Sequence, residues 1–188
     1  MKKLLTTFAL VLVICSVTAQ SKDEMKALKE SMTPSEEHEW LASFNGKWSA
    51  KVQMWMDPSQ PPSISKATTE NEMILDGLYQ RSSHKGTMLE MPFHGESIMG
   101  YDNIKKKFVS TWIDNFGSGI MMLSGDFDKE SKTLILEGSM ADPMTGKDLW
   151  VREVLTKISD DEHKFEMFMV TPEGKETKTM EINYKRKK

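Results

Sequence analysis

Apolar and polar residues alternate along most of this chain. Trp48, Ala50, Val52, Met54 and Met56 are interleaved with Ser49, Lys51 and Gln53, the period of two that marks a strand with one buried face. The same alternation predicts strands over 65–75, 77–84, 87–91, 94–101, 107–113, 119–126, 132–138, 148–158, 163–170 and 176–186. A proline-rich loop, Asp57 to Pro62, follows the first strand. Turn-forming residues separate the others: Asp76-Gly77, Lys85-Gly86, Asp102-Asn103, Asp126 to Lys132, Asp142 to Gly146, Ser159 to Glu162 and Pro172-Glu173-Gly174. None of these connections is long enough for a crossover helix, so the sheet is antiparallel and meandering. So many sequential strands remove their exposed edges by closing on themselves. The expected fold is all-β: an antiparallel up-and-down β-barrel with a short N-terminal helix.

The helix precedes the strands. Trp40, Leu41 and Phe44 share one face at helical spacing. Thr33 is expected to cap it, with Pro34 in the first helical position and Glu36 completing a capping box, and Asn45-Gly46 is expected to end it. Residues 22–30 are charged and weakly helical, which makes 20–32 a flexible lead-in to a single domain over 33–188. At the start, Lys2 and Lys3 precede the apolar run Leu4–Val17, and Val17-Thr18-Ala19 supplies small residues at a cleavage point. This predicts a signal peptide over 1–19, cut between Ala19 and Gln20, and a secreted or periplasmic protein. The run is shorter than the ~20 residues of a spanning helix, so no membrane span is expected after cleavage. Ile14 stands before Cys15 where a lipoprotein needs a small residue, so Cys15 leaves with the leader.

Composition sharpens the picture. The chain has 188 residues, 38% of them hydrophobic and 28% charged, with a formal charge of −3. Removing 19 leaves 169 residues with no cysteine, held by a core without disulfides. Without Lys2 and Lys3, 23 basic residues face 28 acidic ones, a balance of −5 that excludes a charge-driven nucleic-acid partner. The basic Lys185-Arg186-Lys187-Lys188 reads as a solvated strand end. The 16 methionines are the unusual feature, against 8 phenylalanines. Thioethers suit Cu(I), but these methionines are dispersed through most strands. A compliant barrel lining is the expectation, with no cofactor and no metal.

Other chemistry is sparse. His38, His84, His94 and His163 form no close pair, although adjacent strands could bring His84 and His94 together. Asp126, Asp128, Glu130 and Glu137 follow a calcium-loop spacing, but Ser131 stands where the sharp-turn glycine belongs, so a hairpin is expected there. Nucleophile elbow, P-loop and dinucleotide fingerprints are all missing. Asp114 and Glu153 lie on strands, and either would be a candidate general base if buried.

Two sequence features point to known architecture. Gly46-Lys47-Trp48 after a short helix resembles the Gly-x-Trp opening of lipocalin-like (calycin) barrels. That resemblance implies that Trp48 closes one end of the barrel and packs on a basic residue of the last strand, for which Arg186 is the match. More specifically, Met91-Pro92-Phe93-His94-Gly95, Gly100-Tyr101-Asp102-Asn103, Val109-Ser110-Thr111-Trp112-Ile113-Asp114, Asp142-Pro143-Met144-Thr145-Gly146-Lys147, Val151-Arg152-Glu153-Val154 and Lys178-Thr179-Met180-Glu181-Ile182 resemble the DUF1579 family in order and spacing, from about Pro34 to Arg186. The resemblance implies a lipocalin-like barrel and no assigned activity.

A small closed barrel either fills its interior or holds one small ligand. The expected function is binding of a small, largely apolar ligand in a barrel cavity. The alternatives are an enzyme acting on such a molecule and a structural or interaction protein with a filled barrel. Strand residues of mixed character are the expected lining: Tyr79, Arg81, Met99, Trp112, Met122, Trp150 and Arg152. Arg81 and Arg152 would favour an acidic ligand. Period two places Tyr79 with Arg81, and Trp150 with Arg152, without fixing which face is inside.

Overall fold

A computed structural model describes residues 22–142, 145–171 and 174–188. The signal-peptide expectation, with Cys15, lies outside these residues, as do parts of the turns at 142–146 and 172–174. Two helices, α1 (Lys22–Ser31) and α2 (Glu36–Ala42), precede ten strands: β1 (Gly46–Met54), β2 (Ser63–Ile74), β3 (Tyr79–Met88), β4 (Met91–Asp102), β5 (Lys107–Asp114), β6 (Met121–Asp128), β7 (Thr133–Ala141), β8 (Asp148–Lys157), β9 (Glu162–Val170) and β10 (Glu176–Arg186). Each strand pairs antiparallel with the next, and β1 pairs with β10 from Trp48↔Arg186 to Met54↔Met180. The result is the closed up-and-down barrel that the alternation predicts.

Ten strands form, not eleven, because the predicted segment 87–91 is not a strand of its own: Thr87 and Met88 finish β3, and Met91 opens β4. Gly86 lies inside β3 opposite Ala67, where a Cβ would come within 2.9 Å of the Ala67 Cβ; close approach of the backbones, not a reversal, requires glycine there. The reversal falls at Leu89-Glu90, a two-residue link with φ of 50° and 64°. Positive φ at both positions matches the twist of the flanking strands. Neither residue is a usual turn former, so composition gave no sign of it.

The cap of α2 is also displaced from expectation. Ser35, not Thr33, is the N-cap, and its backbone N–H donates to His38 Nδ1 at 2.9 Å, so a histidine takes the role expected of Glu36. The Thr33 hydroxyl instead donates to the Lys29 carbonyl at the end of α1.

α2 closes one end of the barrel. Leu41 and Phe44 are buried, and Trp40 packs on Phe44, Phe108 and Phe127 with ring centroids 4.8, 5.7 and 4.4 Å away. The carbonyls at a helix C-terminus have no partners within the helix. Here side chains of four strands supply donors. Gln80 Nε2 reaches the Leu41 carbonyl at 2.6 Å, and Asn71 Nδ2 and Trp48 Nε1 reach that of Phe44 at 3.0 and 2.8 Å. Arg186 Nη2 and Nη1 reach those of Ser43 and Asn45 at 2.9 and 2.5 Å. The Arg186 guanidinium lies over the Trp48 ring, 4.1 Å from its centroid, and Gly46 (φ +108°) lets the chain turn into β1 beside it.

Replacing Arg186 by leucine keeps apolar bulk over Trp48 but orphans the Ser43 and Asn45 carbonyls. We expect a loss of about 2–4 kcal/mol in urea-unfolding stability, with the barrel retained by far-ultraviolet circular dichroism.

Candidate functional site

Pairing fixes which side chains point inward, because directly opposed residues share a face. From buried Trp48 and Ala50 the inward set passes to Thr69 and Ala67, then to His84 and Gly86, and so around the barrel. At the α2 end the inward residues are fully buried: Trp48, Phe108, Leu134, Leu136 and Val151. Towards the other end Val52, Met54, Ser97, Trp112, Met140, Glu153, Phe165, Met167 and Ile182 are only half-buried. The interior is therefore tightly packed beneath α2 and less completely covered towards the other end.

The inner face has two unlike sides. On β2 to β5, Thr69, Ser82 and Ser110 point inward and are buried, and His84 and Ser97 point inward and are half-buried; Ser82 and Ser97 are direct cross-strand partners. The Thr69 hydroxyl and His84 Nδ1 lie 2.9 Å apart, and the His84 ring meets Trp112 edge-on at 5.1 Å. Trp112 lies over Gly95, where a Cβ would come within 2.4 Å of the indole, and its Nε1 donates to Asp114 at 2.7 Å. On β6 to β10 and β1 the inward residues are mainly Leu, Met, Phe, Val and Ile.

Glu153 interrupts that apolar wall. Its inward carboxyl has no hydrogen bond or ion pair among the described residues. Desolvation by the surrounding protein raises its pKa to about 7. The nearby Tyr184 phenol is pushed far above its ordinary range by burial, and the Glu153 charge adds to that shift. Burial also holds His84 neutral, down to about 4. His163, between Trp48 and Tyr184 with centroids 4.3 and 4.2 Å away, is lowered to about 3 by burial, with the charges of Arg186 and His84 acting in the same direction.

Of the expected lining, Met99 and Trp112 point inward. Tyr79, Arg81, Met122, Trp150 and Arg152 do not; they lie on the outer face, with Met122 and Trp150 68% and 57% exposed. Arg81 pairs with Glu72, and Arg152 with Glu176 while lying over Phe168. His84 and His94 are on adjacent strands but opposite faces, since His84 faces Gly95 and His94 faces Lys85. Among the described residues no three His, Cys, Asp or Glu side chains gather as a metal site. Asp128 bonds the Glu130 N–H and the Ser131 hydroxyl, which makes the 126–137 segment the expected hairpin. The residues missed as lining, Glu153, His84, Ser82 and Ser97, share a face with Trp48. Counting in twos across each hairpin from Trp48 would have found them, given the true turn at Leu89-Glu90.

Fold and interior together define a closed ten-stranded antiparallel barrel with a helix-stoppered end and an inner face of two unlike sides. The chain belongs to the family described as "Protein of unknown function (DUF1579)", whose family model matches residues 33–186. Among solved structures it is similar to Rv2717c from M. tuberculosis, with a TM-score of 0.61 at 11% identity over 83% of this chain and 100% of that one. A second match is a redesigned beta barrel, b11L5F_LGL, with a TM-score of 0.41 at 12% identity over 79% and 95% of the two chains. At these identities the likeness to Rv2717c is one of fold. None of the curated proteins compared with the chain matches it.

The two inward imidazoles predict acid sensitivity. Each is held neutral in the folded protein and takes up a proton on unfolding. Their contribution is therefore complete above the unfolded value of about 6.5 and is lost as pH falls towards about 4 for His84 and about 3 for His163. Each imidazole contributes a fall in unfolding free energy approaching about 1.4 kcal/mol per pH unit, and Glu153, whose raised pKa acts in the opposite sense between about pH 7 and 4.5, offsets one of them there. His163→Phe keeps a ring between Trp48 and Tyr184, with Lys157 as cross-strand neighbour and Arg186 close by, and should remove one imidazole's share of the fall, read from urea unfolding at a series of pH values.

Proposed function

We propose that this protein binds a small, largely apolar ligand in its barrel, outside the cytoplasm. The observation that supports the reading is the half-buried inner face away from α2, where an apolar side from β6 around to β1 faces hydroxyls and one imidazole on β2 to β5. Binding sites for small molecules pair apolar lining with a few polar groups that orient the ligand. The two walls suit a molecule with one apolar flank and one neutral polar edge, such as an alcohol or amide.

An acidic ligand finds less support. Arg81 and Arg152 are outside in ion pairs, and Arg186 is bonded to backbone carbonyls at the closed end. The enzyme alternative rests on Glu153, an inward carboxyl without a partner, because the other inward acid, Asp114, already holds the Trp112 indole and the Phe116 N–H. The location outside the cytoplasm rests on the leader-like pattern of residues 1–19.

Native mass spectrometry of the purified protein should show a co-purified adduct, and an environment-sensitive apolar dye should bind the emptied barrel. Ser97→Trp puts an indole on the inner face between Ser82 and Trp112. Dye affinity should fall on the order of tenfold, the equivalent of about 1.4 kcal/mol. Absence of dye binding, or equal binding by the variant, would refute the reading. Expression in a Gram-negative host with N-terminal sequencing of the exported form should give Gln20 as the first residue; retention of Met1 in the cytoplasm would refute export.

A further inference from the structure

The inward face of β1, β10 and β9 carries three methionines in one row. Met54 is the cross-strand partner of Met180, and Met180 is the partner of Met167. The next residue in the row, on β8, is Glu153, the partner of Met167. Directly opposed side chains on neighbouring strands start about 5 Å apart, and the concave inner face of a barrel tilts them together. All three methionines are half-buried. Met180 continues the inward alternation of Arg186, Tyr184 and Ile182, and the β10 register shifts only beyond it, between Lys178 and Met180. Met167, like the inward Met73, Met99, Met121, Met140 and Met169, packs on one side against the core, whereas Met54 and Met180 do not.

We propose that Met54, Met180 and Met167 form a site for a soft monovalent metal ion, Cu(I) or its analogue Ag(I), with the Glu153 carboxylate balancing the charge of the ion. Thioethers are soft, neutral donors that select such ions over zinc, calcium or magnesium. A neutral three-sulfur set leaves the cation uncompensated in a low-dielectric lumen, and the unpaired acid at the end of the row supplies the missing charge. The dispersal of methionine along the sequence concealed the row, because its members are 126 positions apart at the extremes and meet only where β1 closes on β10. The site stands beside the ligand reading and shares only the inner face with it.

Leucine substitutions separate the two, because leucine keeps the apolar lining and removes the sulfur. The test titrates Ag(I) and, with a chromogenic chelator as competitor, Cu(I) into the purified full-length chain carrying Cys15→Ser, so that no thiol competes. We expect one tightly bound equivalent. Affinity should weaken on the order of tenfold or more in the single variants Met180→Leu and Met167→Leu and in Glu153→Gln, with dye binding kept by the leucine variants. The outward Met122→Leu should bind as the parent does. No tight equivalent in the parent, or leucine variants that bind metal as well as the parent, would overturn the site. Loss of dye binding alone would overturn the ligand reading and leave the metal site standing. Using single substitutions and checking each by circular dichroism keeps misfolding from imitating loss of metal.

Discussion

The C-terminal turn of α2 is the constraint on which the barrel depends. Its last carbonyls point into the mouth of a closed β-structure, where water is excluded and an unpaired carbonyl costs about 1–3 kcal/mol. Gln80, Asn71, Trp48 and Arg186 meet that demand from β3, β2, β1 and β10. These strands are contiguous in the barrel and include both sides of the closing seam. One set of hydrogen bonds therefore seats the helix, fixes the register of the first and last strands, and decides which end is filled. The half-buried part of the inner face lies at the opposite end because α2 and its aromatic neighbours cover this one.

The division of the interior into two walls follows from where packing is needed. β6 to β8 supply Leu123, Leu134, Leu136 and Val151 to the core beneath α2, and Met121, Met140, Leu155, Met167 and Met169 on β6 to β9 pack against that core while keeping part of their surface exposed. β2 to β5 contribute fewer core residues and carry hydroxyls and an imidazole at the same height. Glu153 is costly in such a place: a carboxyl among apolar side chains without a donor. A residue of that kind is retained more readily for a ligand or an ion than for stability.

Fold was more legible in the sequence than site, for a physical reason. Alternation reports that a strand has two faces, and short turns report that strands are antiparallel; both survive errors of a residue or two. Interior lining depends on parity, and parity must be carried from an anchored residue through every hairpin. Trp48 and Arg186 were identified together by the Gly-x-Trp resemblance, and they meet at the closed end. Tyr79, Arg81, Met122, Trp150 and Arg152 have the mixed character of a lining, and all five point outward. Side chains of mixed polarity are as much at home on an exposed strand face, where Arg152 covers Phe168 and pairs with Glu176. The Leu89-Glu90 turn and the Ser35–His38 cap were invisible because ordinary residues adopt those conformations under tertiary constraint.

The pairing of Trp48 with Arg186 has a consequence for how the chain is made. Residues that seat the helix are separated by up to 143 positions, so α2 stays unstoppered until the last strand has left the ribosome. Until β10 arrives, β1 and β9 both present unpaired edges, the surfaces through which β-proteins aggregate. Closure therefore comes late and all at once, in the slow regime of folds dominated by non-local contacts. Translation that stopped before β10 would leave an open sheet with two adhesive edges, and α2 without the two carbonyl bonds that Arg186 supplies.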